Sequence, residues 1–333
     1  MKNERFLYSL ESPEMRPSIV CFVDILGFKD LSRKAFDSGN GNVLLNQLSK
    51  SLSKAYGRIK EHSSLWSESK SFDIKIFTDN IVVGYPISSS NAGGYELERI
   101  FSIFSEFQIA LVMEGFLVRG GIAFGGHYMN DDIVFGDALL DAVKQDKTGG
   151  VPSISLASSV VDRLQRSGES YNDLSMYSPF HDLLEDSDGS IYLNYLNQAF
   201  IGYPEGGIFF DVIENHKKTI ETGLSEHSTT PSILSKYEWA AVYHNFVCEE
   251  FIRNNPPMIN HNADPEDVAA AMEVQKLKNY TIKFSKSLQR PLQKPLILTP
   301  KLYFLNFRAK LFFGDYLGYS MADNMRRSVL KNS

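Results

Sequence analysis

Two aspartates stand where a carboxylate is hard to explain as packing. Asp24 falls near the end of Ser18–Leu26 (SIVCFVDIL), a run apolar and rich enough in Ile and Val to be a strand buried on both faces. A carboxylate there is costly unless a cation meets it or the strand emerges from the core. Gly27-Phe28-Lys29 follows and opens a helical turn, whose backbone N–H groups suit a phosphate. Asp79 lies at the tip of FDIKIFTDNIVV, where Phe72–Asp79 and Ile81–Tyr85 read as two strands joined by a turn around Asp79-Asn80. Brought side by side, two hard carboxylates fit two Mg²⁺ or Mn²⁺ ions on a triphosphate. Each acid also has an ordinary reading: Asp24 as an N-cap or salt-bridge residue, Asp79 as a turn residue.

The elements that must position this pair alternate in type. Leu44–His62 carries Leu44, Leu45, Leu48, Leu52 and Tyr56 at helical spacing. In Phe72–Asp79 the residues Asp73, Lys75, Phe77 and Asp79 share one side. Tyr95–Glu114 is an amphipathic helix. Phe116–Phe124 is a strand, followed by a Gly-rich loop, Gly125-Gly126-His127, in which His127 is either an exposed loop residue or a phosphate contact. Ile133–Phe135 is short and β-like, and a helix runs from Asp137 to about Asp146. Ser153–Leu156, a helix at Ser158–Gln165, and a turn and strand at Asp186–Leu196 complete the series. This order predicts an α+β fold with a split βαβ plan, an antiparallel hairpin between helix-linked strands. It is the plan of nucleotidyl-transfer domains that hold two metals on an acid of the first strand and an acid of the hairpin.

Composition sets the outer bounds. The 333 residues are 43% hydrophobic and 22% charged, which excludes a disordered chain and a coiled-coil rod. Lys and Arg number 34 against 40 Asp and Glu, a net charge of −6, which argues against a dedicated nucleic-acid binder. No apolar segment follows the charged N-terminus, and no stretch reaches about 18 apolar residues. A cytoplasmic protein that makes no membrane contact is expected. Cys21 and Cys248 lie in apolar surroundings and read as buried thiols. The C-terminal part is helical, with helices at Leu234–Arg253 and Pro265–Lys286 and loops at Gly223–Ser232 and Asn254–Asp264. It carries no motif with chemistry and reads as a layer supporting the core or a dimer.

The blocks FVDILGF, IKIFTDNIVVGY and VRGGIAFGG…IVFGDALLDAVKQD resemble the class III nucleotide cyclases in order and spacing, across residues 17–147. Within that family they are most similar to bacterial cyclases of the Pycsar antiphage systems, which make cyclic UMP or cyclic CMP. DSDGSIYLNYL and KYEWAAVYHN extend the likeness to about residue 250. The resemblance implies an N-terminal extension (1–16), a ferredoxin-like cyclase domain (17–200) and a mostly helical C-terminal region (201–333). It implies two divalent ions held by Asp24, Asp79 and the Ile25 carbonyl, with the amides of Gly27, Phe28 and Lys29 facing the triphosphate. Lys75 takes the place of the base-reading lysine of purine cyclases. Lys144 stands where the family has an arginine that meets transition-state charge, and Arg119 is another candidate for that charge, or a strand-edge salt bridge. Two departures bear on the base and ribose: Ile133 replaces the acid that reads a purine, and Leu140 replaces an asparagine that orients the ribose. The expected enzyme is a homodimeric pyrimidine cyclase with sites between the protomers, taking UTP in preference to CTP on resemblance alone. Its cyclic product would act on a separate effector protein. The alternatives are a purine cyclase that reads its base with other residues, and a degenerate domain serving as a nucleotide-binding or interaction module.

Overall fold

A computed structural model describes residue 8 and residues 13–64, 73–87, 94–167, 179–186, 188–204, 206–256, 265–283 and 294–295. The apolar run near the N-terminus forms β1 (Arg16–Ile25), with the helices α1 (Phe28–Asp37) and α2 (Gly41–Ser64) behind it. The hairpin follows as β2 (Asp73–Phe77) and β3 (Asn80–Pro86), then α3 (Gly94–Val112) and β4 (Val118–Met129). β1 lies between β3 and β4 and is antiparallel to both, and β2 pairs antiparallel with β3. The order β2-β3-β1-β4 is the split βαβ arrangement expected from the sequence.

The chain then adds β5 (Val134–Gly136), α4 (Asp137–Gly149), β6 (Ile154–Leu156), α5 (Ser158–Ser167), β7 (Leu183–Glu185) and β8 (Ile191–Leu193). β5 folds back on β4, while β6 runs parallel to β4 and leads through β8 and β7 to the short β9 (Lys294–Pro295). The fold is thus α+β, with a mixed sheet extended beyond the split βαβ core.

Alternation along the strands decides what each face meets. Ile19, Cys21, Val23 and Ile25 of β1 point to one face, where Ile81, Val83, Val118 and Ile122 join them under the apolar stripe of α3. Val20 and Phe22 point to the other face, against Ala138 and Ala142 of α4. Asp24 continues this second series, so β1 delivers it to the α4 side of the sheet. Gly121 brings α4 close: a side chain there would collide with the Ala142 carbonyl and lie 2.5 Å from Gln145 Cβ.

The C-terminal helices α6 (Phe210–Glu226), α7 (Pro231–Asn254) and α8 (Pro265–Leu277) build a second core on aromatic residues. Trp239 of α7 meets Tyr192 of β8 at 5.4 Å between ring centroids and stacks on Tyr243 at 5.6 Å. Tyr192 shares the α4 side of the sheet, through Ser155 and Gly121. At the centre, His216 Nδ1 and His244 Nδ1 lie 2.9 Å apart, and His244 Nε2 donates to the Tyr280 carbonyl at 2.9 Å. That carbonyl only accepts, and burial lowers the pKa of both rings and keeps them neutral, so His244 Nδ1 accepts from His216.

Several boundaries differ from the sequence expectation. Gly125-Gly126-His127 is no loop: β4 continues through it, pairing His127 with Arg16 and with Gly136. His127 is wholly buried, 2.6 Å from the Tyr8 hydroxyl, and burial lowers its pKa to about 4. It is neither exposed nor set beside a phosphate site. The hairpin turn is Thr78-Asp79, one residue earlier than expected, with Asn80 already in β3. Asp186–Leu196 contains only the short strand β8, and β7 precedes it. The expected loop Gly223–Ser232 shrinks to 227–230, because α6 and α7 both run into it. The charged helix from Pro265 ends at Leu277 in a 3-10 turn, not at Lys286. Phe72, and residues 257–264 of the second expected loop, lie outside the described residues. Among the described residues, no helix is long and apolar enough to cross a membrane. Cys21 and Cys248 are free and buried, as expected.

Candidate active site

The sheet register brings the two acids together. Asp24 is opposite Asn80 on β3, the first residue after Asp79. The Ile25 amide donates to the Asp79 carbonyl at 3.2 Å, tying the end of β1 to the hairpin tip. Thr78 holds the tip in a left-handed conformation (φ 57), unusual for a β-branched residue. Its hydroxyl lies 2.7 Å from Asp79 Oδ1, and Asn80 Nδ2 donates to the same oxygen at 3.2 Å. The Asp79 carboxyl is thereby aimed by its two neighbours.

Asp24 has a protein cation beside it. Arg119 of β4 lies opposite Asp24 in the register. Its Nε donates to Asp24 Oδ2 at 2.8 Å and its Nη2 reaches the same oxygen at 2.7 Å. Asp146 of α4 places Oδ1 3.2 Å from that Nε, an ion-pair distance on an N–H already directed at Asp24. The Asp24 pKa is raised: burial is the main cause, the nearby acids Asp79 and Asp146 add to it, and Arg119 opposes it. The pKa of Lys236 of α7, one helical turn before Trp239, is lowered, by burial first and then by the charge of Arg119, while Asp24 and Asp146 oppose this. Arg119 is therefore the salt bridge that the sequence offered as one of its two readings, though on a central strand and not an edge. Asp146 and Lys236 were not anticipated. The helical phase of Ala138, Ala142 and Asp146 carried a signal for the first, and no local signal existed for the second.

The remaining expected residues surround this pair unevenly. Gly27 (φ 73) turns the chain into α1, and its carbonyl accepts from Asp30 and Leu31, both at 3.0 Å. The Phe28 and Lys29 amides thus stand at a helix start four and five residues after Asp24. Lys75 is on the same face of the sheet as Asp24, but its ammonium is held by Asp131, 2.8 Å from the carbonyl and 3.3 Å from Oδ1. Lys144 is exposed on α4 with Asp137, Leu140 and Asp141. Two residues of α-helix are about 200° of turn, so Lys144 points away from the side on which Asp146 meets Arg119. The structure does not bring Lys144 to the Asp24 of its own chain.

The donor set suits a hard divalent ion. Magnesium is commonly held by one or two carboxylates, the remaining positions going to water and substrate phosphates. Asp24, Asp79 and the Ile25 carbonyl provide such a set of oxygens. Among the described residues, no group of three or more Asp, Glu, His or Cys side chains gathers that could hold an ion alone.

No known family profile matches the chain, and no curated protein matches its sequence. Solved structures do resemble it, among them adenylyl cyclase CyaB from P. aeruginosa, with 14% identity and a TM-score of 0.36. That likeness covers 54% of this chain and 94% of the other.

Proposed function

We propose that the chain is a nucleotide cyclase whose site is built on Asp24 and Asp79. The observation that carries this reading is the meeting of two carboxylates, from the end of β1 and the tip of the β2–β3 hairpin, beside the start of α1. Divalent ions held there would neutralise triphosphate charge and acidify the ribose 3′-hydroxyl. The Phe28 and Lys29 amides would face the phosphates at the N-terminus of α1. The hydroxyl oxygen attacks the α-phosphorus, the bond to the β-phosphate oxygen breaks, and pyrophosphate leaves with a 3′,5′ ring closed. Such a reaction needs positioning and charge neutralisation more than covalent help from the protein.

The substrate is a pyrimidine triphosphate, UTP ahead of CTP. Ile133, 49% exposed, offers no acceptor where a purine reader has an acid, and Lys75 is engaged by Asp131. The active form is a homodimer. Lys144 turns away from its own Asp24, on the exposed side of α4 one turn after Leu140 (71% exposed), an apolar residue that a second copy would cover. A second copy would then present Lys144 to charge developing on the phosphates. The cyclic product would carry the signal to a separate effector in antiphage defence.

The test is mass spectrometry of the products after incubation of the full chain with all four ribonucleoside triphosphates and Mn²⁺. Cyclic UMP or cyclic CMP with pyrophosphate is expected. A cyclic purine product overturns the base assignment. No cyclic product from any triphosphate, with nucleotide still bound, favours a binding module.

A further inference from the structure

One oxygen of the Asp24 carboxylate, which a divalent ion would share, is engaged by Arg119. Nε and Nη2 both converge on Oδ2, at 2.8 and 2.7 Å. A cation on Asp24 and a guanidinium on its Oδ2 are like charges within a few ångströms, on a carboxylate only 14% exposed. Either the guanidinium keeps the ion weak or it must have somewhere else to go. Asp146 supplies the second place. Its carboxylate is nearly buried, comes from a different element, and already lies 3.2 Å from Arg119 Nε. A small rotation of the guanidinium is enough to exchange one acid for the other. Gly121, two residues along β4 from Arg119, is what lets α4 approach closely enough for Asp146 to reach.

We infer that Arg119 and Asp146 form a counter-ion exchange that sets the cation affinity of Asp24: Arg119 opposes a divalent ion at the Asp24 carboxylate, and Asp146 takes the guanidinium when the ion binds. Asp146 is on this account a positioning residue that acts through Arg119. The inference rests on the metal-centre reading above and adds to it a reason for the third carboxylate in the cluster.

The test measures Mn²⁺ binding to the full chain without nucleotide, from the electron paramagnetic resonance signal of free Mn²⁺. Arg119→Gln removes the competitor and should tighten binding roughly tenfold, the scale of one charge-assisted hydrogen bond. Asp146→Asn removes the second seat and should weaken binding several-fold. Adding Asp146→Asn to Arg119→Gln should then change nothing further. If Asp146→Asn weakens binding equally in both backgrounds, its charge acts directly through space and the positioning role is overturned. Unchanged or weaker binding in Arg119→Gln overturns the competition. Should Arg119→Gln fail to fold by circular dichroism, Arg119→Lys keeps the charge with a single contact. It should tighten binding two- to threefold, and no tightening overturns the inference. The metal-centre reading fails separately, if wild-type binding survives Asp24→Asn and Asp79→Asn intact. In that case the ion lies elsewhere, and the exchange has no ion to serve.

Discussion

At the residue scale, the Asp24 carboxylate is held at a cost. Burial, Asp79 and Asp146 raise its pKa, and Arg119 offsets only part of that. A group whose pKa is raised on folding adds stability below its unfolded pKa and loses it as pH rises through the folded value. Ionised Asp24 therefore burdens the fold at neutral pH. Asp24→Asn should leave the melting temperature equal or higher, because Asp146 still pairs Arg119, while turnover with Mn²⁺ is abolished. Clear residual cyclase activity would sink the two-carboxylate assignment. Asp182 follows the same sign away from the site. Burial raises its pKa from 3.8 to about 6, Glu106 adds to this, and a hydrogen bond from Asn197 at 3.3 Å opposes it. Its contribution is complete below pH 3.8 and is lost as pH rises through 6, about 3 kcal/mol in all. Asp182→Asn, whose amide oxygen can still accept from Asn197, should be more stable than wild type at pH 7.5 and no more stable at pH 4. Urea midpoints at the two pH values check this, and a gain of equal size at both would show that Asp182 does not titrate in the range.

At the element scale, the site depends on how closely α4 approaches β4. Gly121 is the point of contact, facing the Ala142 carbonyl and Gln145 Cβ. Because the first of these is backbone, the strain of an added methyl cannot be relieved by a rotamer change. Gly121→Ala should lower the urea-derived stability by roughly 1–3 kcal/mol and reduce turnover, since α4 carries Asp146 away from Arg119. An unchanged midpoint would mean that α4 is not seated as closely as described. The same region shows how far a sequence can be read. β1 and the hairpin were legible from an unbroken Ile/Val run and a turn between alternating strands. The end of β4 was not, because Gly125-Gly126 looks like a chain breaker. In the fold those glycines pair with Ser18 and Pro17 and leave room for the Asp137 carboxylate. β7 and β9 are too short to show a period. The Arg119–Asp24 pair needed strand register, which 95 residues of separation conceal.

At the scale of the whole molecule, the chain divides its charges between two directions. Asp24, Asp79, Arg119 and Asp146 converge on one site, drawn from β1, the hairpin, β4 and α4. Lys144 faces outward from the other side of α4, one turn after the exposed Leu140. If Lys144 acts in turnover, it acts on the pocket of another copy. Asp79→Ala and Lys144→Ala should each be inactive alone. A mixed dimer of the two variants has one pocket with both substitutions and one with neither. Random exchange makes half the dimers mixed, each with one intact pocket, so about a quarter of wild-type activity per protomer should return, from symmetry alone. Exchange is followed by native mass spectrometry of differently tagged chains. Mixed dimers that stay inactive would refute a shared pocket completed by Lys144, and a fully active Lys144→Ala would remove its role before any mixing.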